Sequence, residues 1–260
     1  MLARDHWAYT EAALESLALT GHVPFETIVV DNGSTAKAAG SLQEMAHSEL
    51  GRRLRLRCRF NPENVGVASG RNQGASMAEA ELLLFLDNDT HIVDQTWLAQ
   101  LVETLRQNAA LGVVGGVLVH PDGKQTVQFA GGSVNALGRV HFGTDTAAES
   151  GYVGSARATM FALGACLLTP RALFESHRGF DPSFDPMDYE DIDYCLRLAA
   201  ASRPSAIAVG SRVAHHGHIT TRGDDFARMR SYMISGRTFR RRWGDCLALN
   251  SDIIGTLGET

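Results

Sequence analysis

The chain has 260 residues, 44% apolar and 20% charged, which is ordinary composition for one globular domain with a full core and excludes disorder as the default. A formal net charge of -5 and a pI near 6.0 give no global reason to expect a nucleic-acid partner, whose footprint is basic. Cys58, Cys166, Cys195 and Cys246 are too scattered for a metal-spaced pair or a disulfide framework and read as reduced thiols, and no stretch approaches the roughly 18 apolar residues of a membrane span. The segment from Met1 to Thr10 has no apolar run of the kind a signal peptide carries, so the expected location is the cytoplasm.

In chain order, Trp7 to Leu19 has helical apolar spacing that Gly21 ends. Phe25 to Asp31 is a continuous apolar run closed by Asn32-Gly33-Ser34, the pattern of a strand buried on both faces. A helix is predicted from Thr35 to about Leu50, a strand over Leu54 to Phe60, and a tightly packed small-residue helix over Val67 to Ala80. Leu82 to Leu86 is the most apolar run in the chain. This alternation predicts a mostly parallel sheet with helices on both faces, and such sheets place ligands at the carboxyl ends of their strands. From Gly112 onward, glycine-rich strands over Val113 to Val119 and Met160 to Leu168 predict a mixed, antiparallel half. Helices are expected again over Glu190 to Ala201 and Phe226 to Trp243.

Asp87-Asn88-Asp89 follows the apolar strand directly, so two carboxylates emerge at its carboxyl end; hard oxygen ligands of this kind suit Mg2+ or Mn2+ together with substrate phosphates, although the same spacing also caps a solvated turn. Asp31 ends the earlier strand in the same way, either as a ligand contact or as an Asx turn. Asn64, Gly66 and Arg71 stand at the start of a helix whose free N–H groups favour anions, and Arg71 is a candidate for phosphate or nucleobase. The cluster Asp188, Glu190, Asp191 and Asp193, after Gly179-Phe180-Asp181, reads either as helix capping or as a general base whose pKa is raised by like charges. His215, His216 and His218 are candidate metal ligands.

Taken in order, VVDNGST, NVGVASGRNQG, LLLFLDNDT, GFDPSFDPMDYEDIDYCLRL and the histidine after RVA resemble family 2 glycosyltransferases of the GT-A fold, over nearly the whole chain from about Asp5 to His218. The resemblance implies a Rossmann-like α/β/α sandwich and an inverting transfer from a nucleotide-diphosphate sugar to a glycan or lipid-linked acceptor, in cell-surface glycan synthesis, with Mn2+ or Mg2+. It makes Asp31, Asn64, Gly66, Arg71 and Asp87 donor contacts, Asp89 the direct metal ligand with Asp87 and His215, and Asp191 the catalytic base. Phe180, Asp181 and Glu190 fall on the acceptor side. A single domain over 1–260 follows, with a nucleotide-binding half over about 1–118, an acceptor half over about 119–218 and a helical extension over 219–260.

One departure is that the family's first strand, which precedes the first helix, has no room here, so a central strand is expected to be missing between the strands ending at Asp31 and Leu86. Two rival readings are a sugar-phosphate nucleotidyltransferase, which lacks its N-terminal glycine-rich loop here, and an inactive nucleotide-sugar-binding relative, which binding without turnover would reveal. The arginines among Phe226, Met229, Tyr232, Met233, Phe239 and Trp243 either close the domain as a helix or mark a peripheral contact with an anionic membrane.

Overall fold

Strands and helices alternate through the first half of the computed structural model, which describes residues 1–21, 23–135, 137–144, 152–153, 156–217 and 225–249. Strand β1 is Leu2–Ala3, followed by α1 (Trp7–Leu17), β2 (Thr27–Asn32), α2 (Ala36–His47), α3 (Glu49–Arg53), β3 (Leu56–Asn61), α4 (Val67–Met77), β4 (Leu82–Leu86), β5 (Thr90–Ile92), α5 (Trp97–Gln107) and β6 (Val113–Val119). The second half runs through β7 (Val127–Phe129), β8 (Gly132–Val134), β9 (Val140–Phe142), β10 (Tyr152–Val153), β11 (Ala156–Thr159), β12 (Cys166–Pro170), α6 (Arg171–Ser176), a 3-10 turn at Pro182–Phe184, α7 (Glu190–Ala200), β13 (Ser205–His215) and α8 (Asp225–Leu249).

Two expected elements differ in the structure. The helix expected from Thr35 to Leu50 breaks at Ser48, whose hydroxyl accepts the Gly51 N–H at 3.0 Å and starts α3 afresh. Of the strand expected over Met160 to Leu168, only Cys166 to Leu168 is strand, at the start of β12; β11 ends before it at Thr159, and Leu163 and Ala165 between the two line the functional cleft.

Strands β1, β2 and β3 pair in parallel. A second sheet has the order β10-β11-β13-β6-β12-β4, with β6 and β13 parallel and β12 antiparallel to both its neighbours. The second sheet is therefore mixed and mostly antiparallel, as the change of pattern after Gly112 predicts, and the parallel pairing lies within β1, β2 and β3 and between β6 and β13. Strand β6 is buried along its whole length between β12 and β13, which explains its unbroken Val/Gly/Leu run. Helix α5 buries Trp97, Leu98, Leu101, Val102 and Leu105 on one side, at helical spacing. Helix α4 is built of small residues because it lies almost on the sheet: a Cβ on Gly70 would come within 2.5 Å of the Leu2 side chain, and one on Gly74 within 3.3 Å of Val30.

The two sheets meet at β1. Leu2 and Ala3 pair with Val30 and Asp31 of β2, and Leu2 forms a single parallel bridge to Asp87. The place expected to lack a strand thus holds two residues of one. Upstream of them, β2 and β4 face each other across an apolar slot of about 340 Å³, lined among others by Met1, Phe25, Ile28, Leu82, Leu84 and Trp97. The Met1 ammonium continues the ladder by donating to the Ile28 carbonyl at 2.9 Å, and burial, then repulsion from Arg71, pushes it down to about 5.

Candidate active site

The carboxyl end of β4 and the end of β13 meet because β13 turns back along β5, setting His215 opposite Thr90, one residue beyond Asp89. The loop between is held from both sides. Asn88 donates to the Thr10 hydroxyl at 2.9 Å, Thr90 Oγ1 donates to the Asp87 carbonyl at 2.7 Å, and the His216 N–H donates to the Asp89 carbonyl at 3.1 Å. This arrangement brings His215 Nε2 to 3.4 Å from Asp89 Oδ1 and 3.8 Å from Asp87 Oδ2.

The other imidazole nitrogen, Nδ1, lies 2.7 Å from Gln128 Oε1 on β7, which fixes Nδ1 as the donor and leaves Nε2 facing the carboxylates as a free lone pair in the neutral ring. One ligand atom from each of Asp87, Asp89 and His215 lies within 4.8 Å of the others, so two hard carboxylates and an oriented imidazole fit Mn2+ or Mg2+ in chemistry and spacing. The charges act on one another. Burial disfavours ionising either Asp89 or His215, yet their mutual hydrogen bond and attraction win, holding Asp89 below its ordinary value and His215 above its own. His216 instead packs its ring against Tyr9 and His91, while His218 lies outside the described residues.

Arg71 reaches the same place from α4. One guanidinium nitrogen donates to Asp87 Oδ1 at 2.7 Å and another to Glu190 Oε1 at 2.7 Å, with the Phe180 ring 5.8 Å away. Gly164 makes room for it: a Cβ there would sit 2.2 Å from Arg71 Nη1. Next to Glu190, Asp191 accepts the Gly164 N–H on Oδ2 and the Ile192 N–H on Oδ1, each at 2.8 Å. Arg71 is the cation that Asp87, Glu190 and Asp191 share, while His215 also lies 3.8 Å from Asp87. Burial, then the like charge of Asp191, pushes Glu190 up to about 8 against the attraction of Arg71. Burial also raises Asp191, opposed by Arg71 and the two N–H groups. With Asp191 beside it and one guanidinium shared between them, Glu190 retains its proton near neutral pH.

These residues line one cleft of about 660 Å³, together with Arg4, Asn32, Asn64, Gln128, Tyr189 and Tyr232. Of the residues singled out in the sequence, the cleft brings together Asn64, Arg71, Asp87, Asp89, Glu190, Asp191 and His215. It does not bring Asp31, whose carboxylate is turned onto the Ser34 hydroxyl and N–H in the Asx-turn alternative, with Asn32 taking the lining position. Gly66, at φ 94°, packs against Asp185 outside the lining. The N–H groups at the start of α4 are not free for an anion: Pro186 O accepts from Val67, and the Asp185 carboxylate accepts from Ala68 and Ser69. Phe180 is fully buried among Phe85, Phe174 and Tyr194, and Asp181 caps the 3-10 turn and pairs with Arg242 at 2.6 Å. Asp193 is held by Arg197, Arg242 and the Trp243 indole, which ties α8 to α7.

Gln128 and Asp185 are the functional supports that reading the sequence misses. Gln128 is a lone polar residue in a three-residue strand, and Asp185 acts on a helix 117 positions earlier, so neither leaves a local pattern.

Residues 1–165 match the family model described as "Glycosyl transferase family 2". The chain is 32% identical over 215 residues to the O-antigen biosynthesis protein RfbC of Myxococcus xanthus, covering 80% of this chain and 16% of that protein. It spans no more than 26% of the length of the curated bacterial relatives it matches. Among solved structures, the mannosyltransferase PcManGT from Pyrobaculum calidifontis in complex with GDP-Man and Mn2+ superposes with a TM-score of 0.69 at 17% identity, over 96% of this chain and 67% of that one. GalNAc-T7 with UDP, GalNAc and Mn2+ gives 0.67 at 14% identity, over 82% of this chain and 42% of that one. At these identities the two structures speak to the fold, which is GT-A.

The excess of buried carboxylate predicts a pH-dependent stability. Folded Glu190 holds its proton up to about 8, whereas the unfolded carboxyl, at the ordinary 4.5, has already released it. The unfolded chain therefore binds fewer protons between those values, and stability falls as pH rises through that window and levels off above it. Denaturant unfolding in EDTA across pH 4.5–9 should show that Glu190→Gln declines less steeply than the unaltered chain; parallel curves would rule out the retained proton.

Proposed function

Because the chain belongs to glycosyl transferase family 2, we propose that it moves a sugar from a nucleotide-diphosphate sugar to an acceptor hydroxyl in one inverting displacement. The observation carrying this reading is the meeting of Asp87, Asp89 and His215 with Asp191 on a single cleft. A divalent cation at the three ligands, Mn2+ or Mg2+, supplies positive charge to offset the negative charge that builds on the departing diphosphate. The Mn2+ found with PcManGT and with GalNAc-T7 supports that choice.

Asp191 is the base in this proposal. As the acceptor oxygen bonds to the anomeric carbon, Asp191 takes the hydroxyl proton; the bond from that carbon to the diphosphate oxygen breaks, and the nucleoside diphosphate leaves with the electron pair. Its raised pKa suits the task, and the Gly164 N–H fixes its orientation. Arg71 acts as a positioning residue, holding Asp87 on the metal side and Glu190 on the base side. Asn64 and Asn32 frame the donor end, and Asp31 and Gly66 shape the loops behind them. Phe180 and Asp181 support the acceptor side from the core, through the ring beside Arg71 and the tie to Arg242. The O-antigen role in the name of RfbC supports a glycan or lipid-linked acceptor in surface polysaccharide synthesis.

Two measurements test this. Mn2+ titration by calorimetry with UDP or GDP present should give binding that Asp89→Ala abolishes and that Gln128→Ala weakens by roughly 10–100-fold, the usual cost of losing the partner that orients a ligating histidine. Unchanged affinity in both variants would refute the metal assignment. Asp191→Asn should retain nucleotide-sugar affinity while turnover falls by roughly 10²–10⁴, and a fully active variant would remove Asp191 from the base role.

A further inference from the structure

Helix α8 has an inner and an outer face. Inside, Ser231, Ser235, Phe239 and Leu247 are buried; Ser235 Oγ donates to the Met187 carbonyl at 2.8 Å and the Phe239 ring lies 4.9 Å from Tyr189. Outside, Phe226, Met229 and Met233 recur at helical spacing with 75%, 58% and 50% of their surface exposed. Arg237, Arg240 and Arg241 follow on the same side, all exposed. From Phe226 to Gly244 the sequence contains six arginines and no acidic residue.

A second element joins this face. The turn between β8 and β9 comes so close that a Cβ on Gly138 would sit 2.9 Å from Arg240 Cγ, and the neighbouring Leu137 is 68% exposed. The surface also borders the cleft: Ser231 and Tyr232 of α8 and Phe142 of β9 line it, and Tyr232 and Phe142 are more than half exposed.

We propose that the outer face of α8, with the β8–β9 turn, lies on an anionic lipid bilayer and brings the mouth of the cleft to the membrane surface. Exposed apolar side chains bordered by arginines on one outer face match an acyl boundary edged by phosphate headgroups. No helix among the described residues is long and apolar enough to cross a membrane, so the contact is parallel to the surface. An acidic protein partner would match the arginines but leave Phe226, Met229 and Leu137 without a reason, and an apolar one would leave the exposed Arg237, Arg240 and Arg241 unanswered.

Vesicle co-sedimentation of the full chain tests this without any turnover readout, so it fails independently of the proposed transfer reaction. Vesicles of phosphatidylcholine with about 30% phosphatidylglycerol should bind at least roughly tenfold more protein than phosphatidylcholine alone, with the advantage shrinking as salt rises. Phe226→Ser with Met233→Ser, Arg237→Gln with Arg240→Gln and Arg241→Gln, and Leu137→Ser on the separate turn should each reduce binding about threefold or more while keeping Tm, because all six residues are exposed. Binding to neither vesicle, equal binding to both, indifference to all three variants, or a solution dimer that the Phe226 variant dissolves would overturn the membrane assignment.

Discussion

The site depends on the two hydrogen bonds of Arg71. Its guanidinium is buried, and it grips Asp87 at the end of β4 with one nitrogen and Glu190 at the start of α7 with another. Three separately folded pieces, α4, β4 and α7, are thereby registered on a single planar group whose geometry tolerates little displacement. A lysine would keep the charge but lose the fork. Gly164 belongs to the same device, because any side chain there would occupy the guanidinium's place.

The charge balance around Arg71 explains why this region is suited to a reaction and poorly suited to stability alone. Buried carboxylates are costly unless compensated, and here one guanidinium faces Asp87, Glu190 and Asp191, with Asp89 beyond. A divalent cation held by Asp87, Asp89 and His215 would supply what Arg71 cannot. Cation binding at one end of the cleft and the protonation of Glu190 and Asp191 at the other would thus be linked through Asp87 and Arg71.

How much of this could be read in the sequence divides along physical lines. The strands ending at Asn32 and Leu86 announce themselves as uninterrupted apolar runs, and the acidic residues after Leu86 are placed at a carboxyl end by that fact alone. The trio that could hold a metal is legible because only Asn88 separates Asp87 from Asp89, and His215 ends another apolar strand. Arg71's partners are not, since they lie 16 and 119 positions away and only the fold joins them. The start of α4 reads in the sequence as an open anion site for the same reason: Asp185, 117 positions later, already takes its N–H groups. Phe180 and Asp181 sit in a motif close to the reactive acids, but the 3-10 turn points one into the core and the other towards Arg242.

Strand β1 shows how a local shortage reaches the site. Its two residues are the only ladder joining the sheets among the described residues, and Leu2 at once pairs with Val30, bridges to Asp87 and packs beneath Gly70, one residue before Arg71. The backbone that positions Asp87 is therefore fastened on this side by a single bridge, while β12 fastens it on the other with a five-residue ladder. Local opening starts where few pairings must break. Asp87 is consequently the member of the candidate metal trio whose placement is most sensitive to what occupies the slot between β2 and β4. Asp89 is held independently, through its carbonyl to His216 and through the β5–β13 pairing, so movement at the slot would change the distance between the two carboxylates before it displaced the histidine.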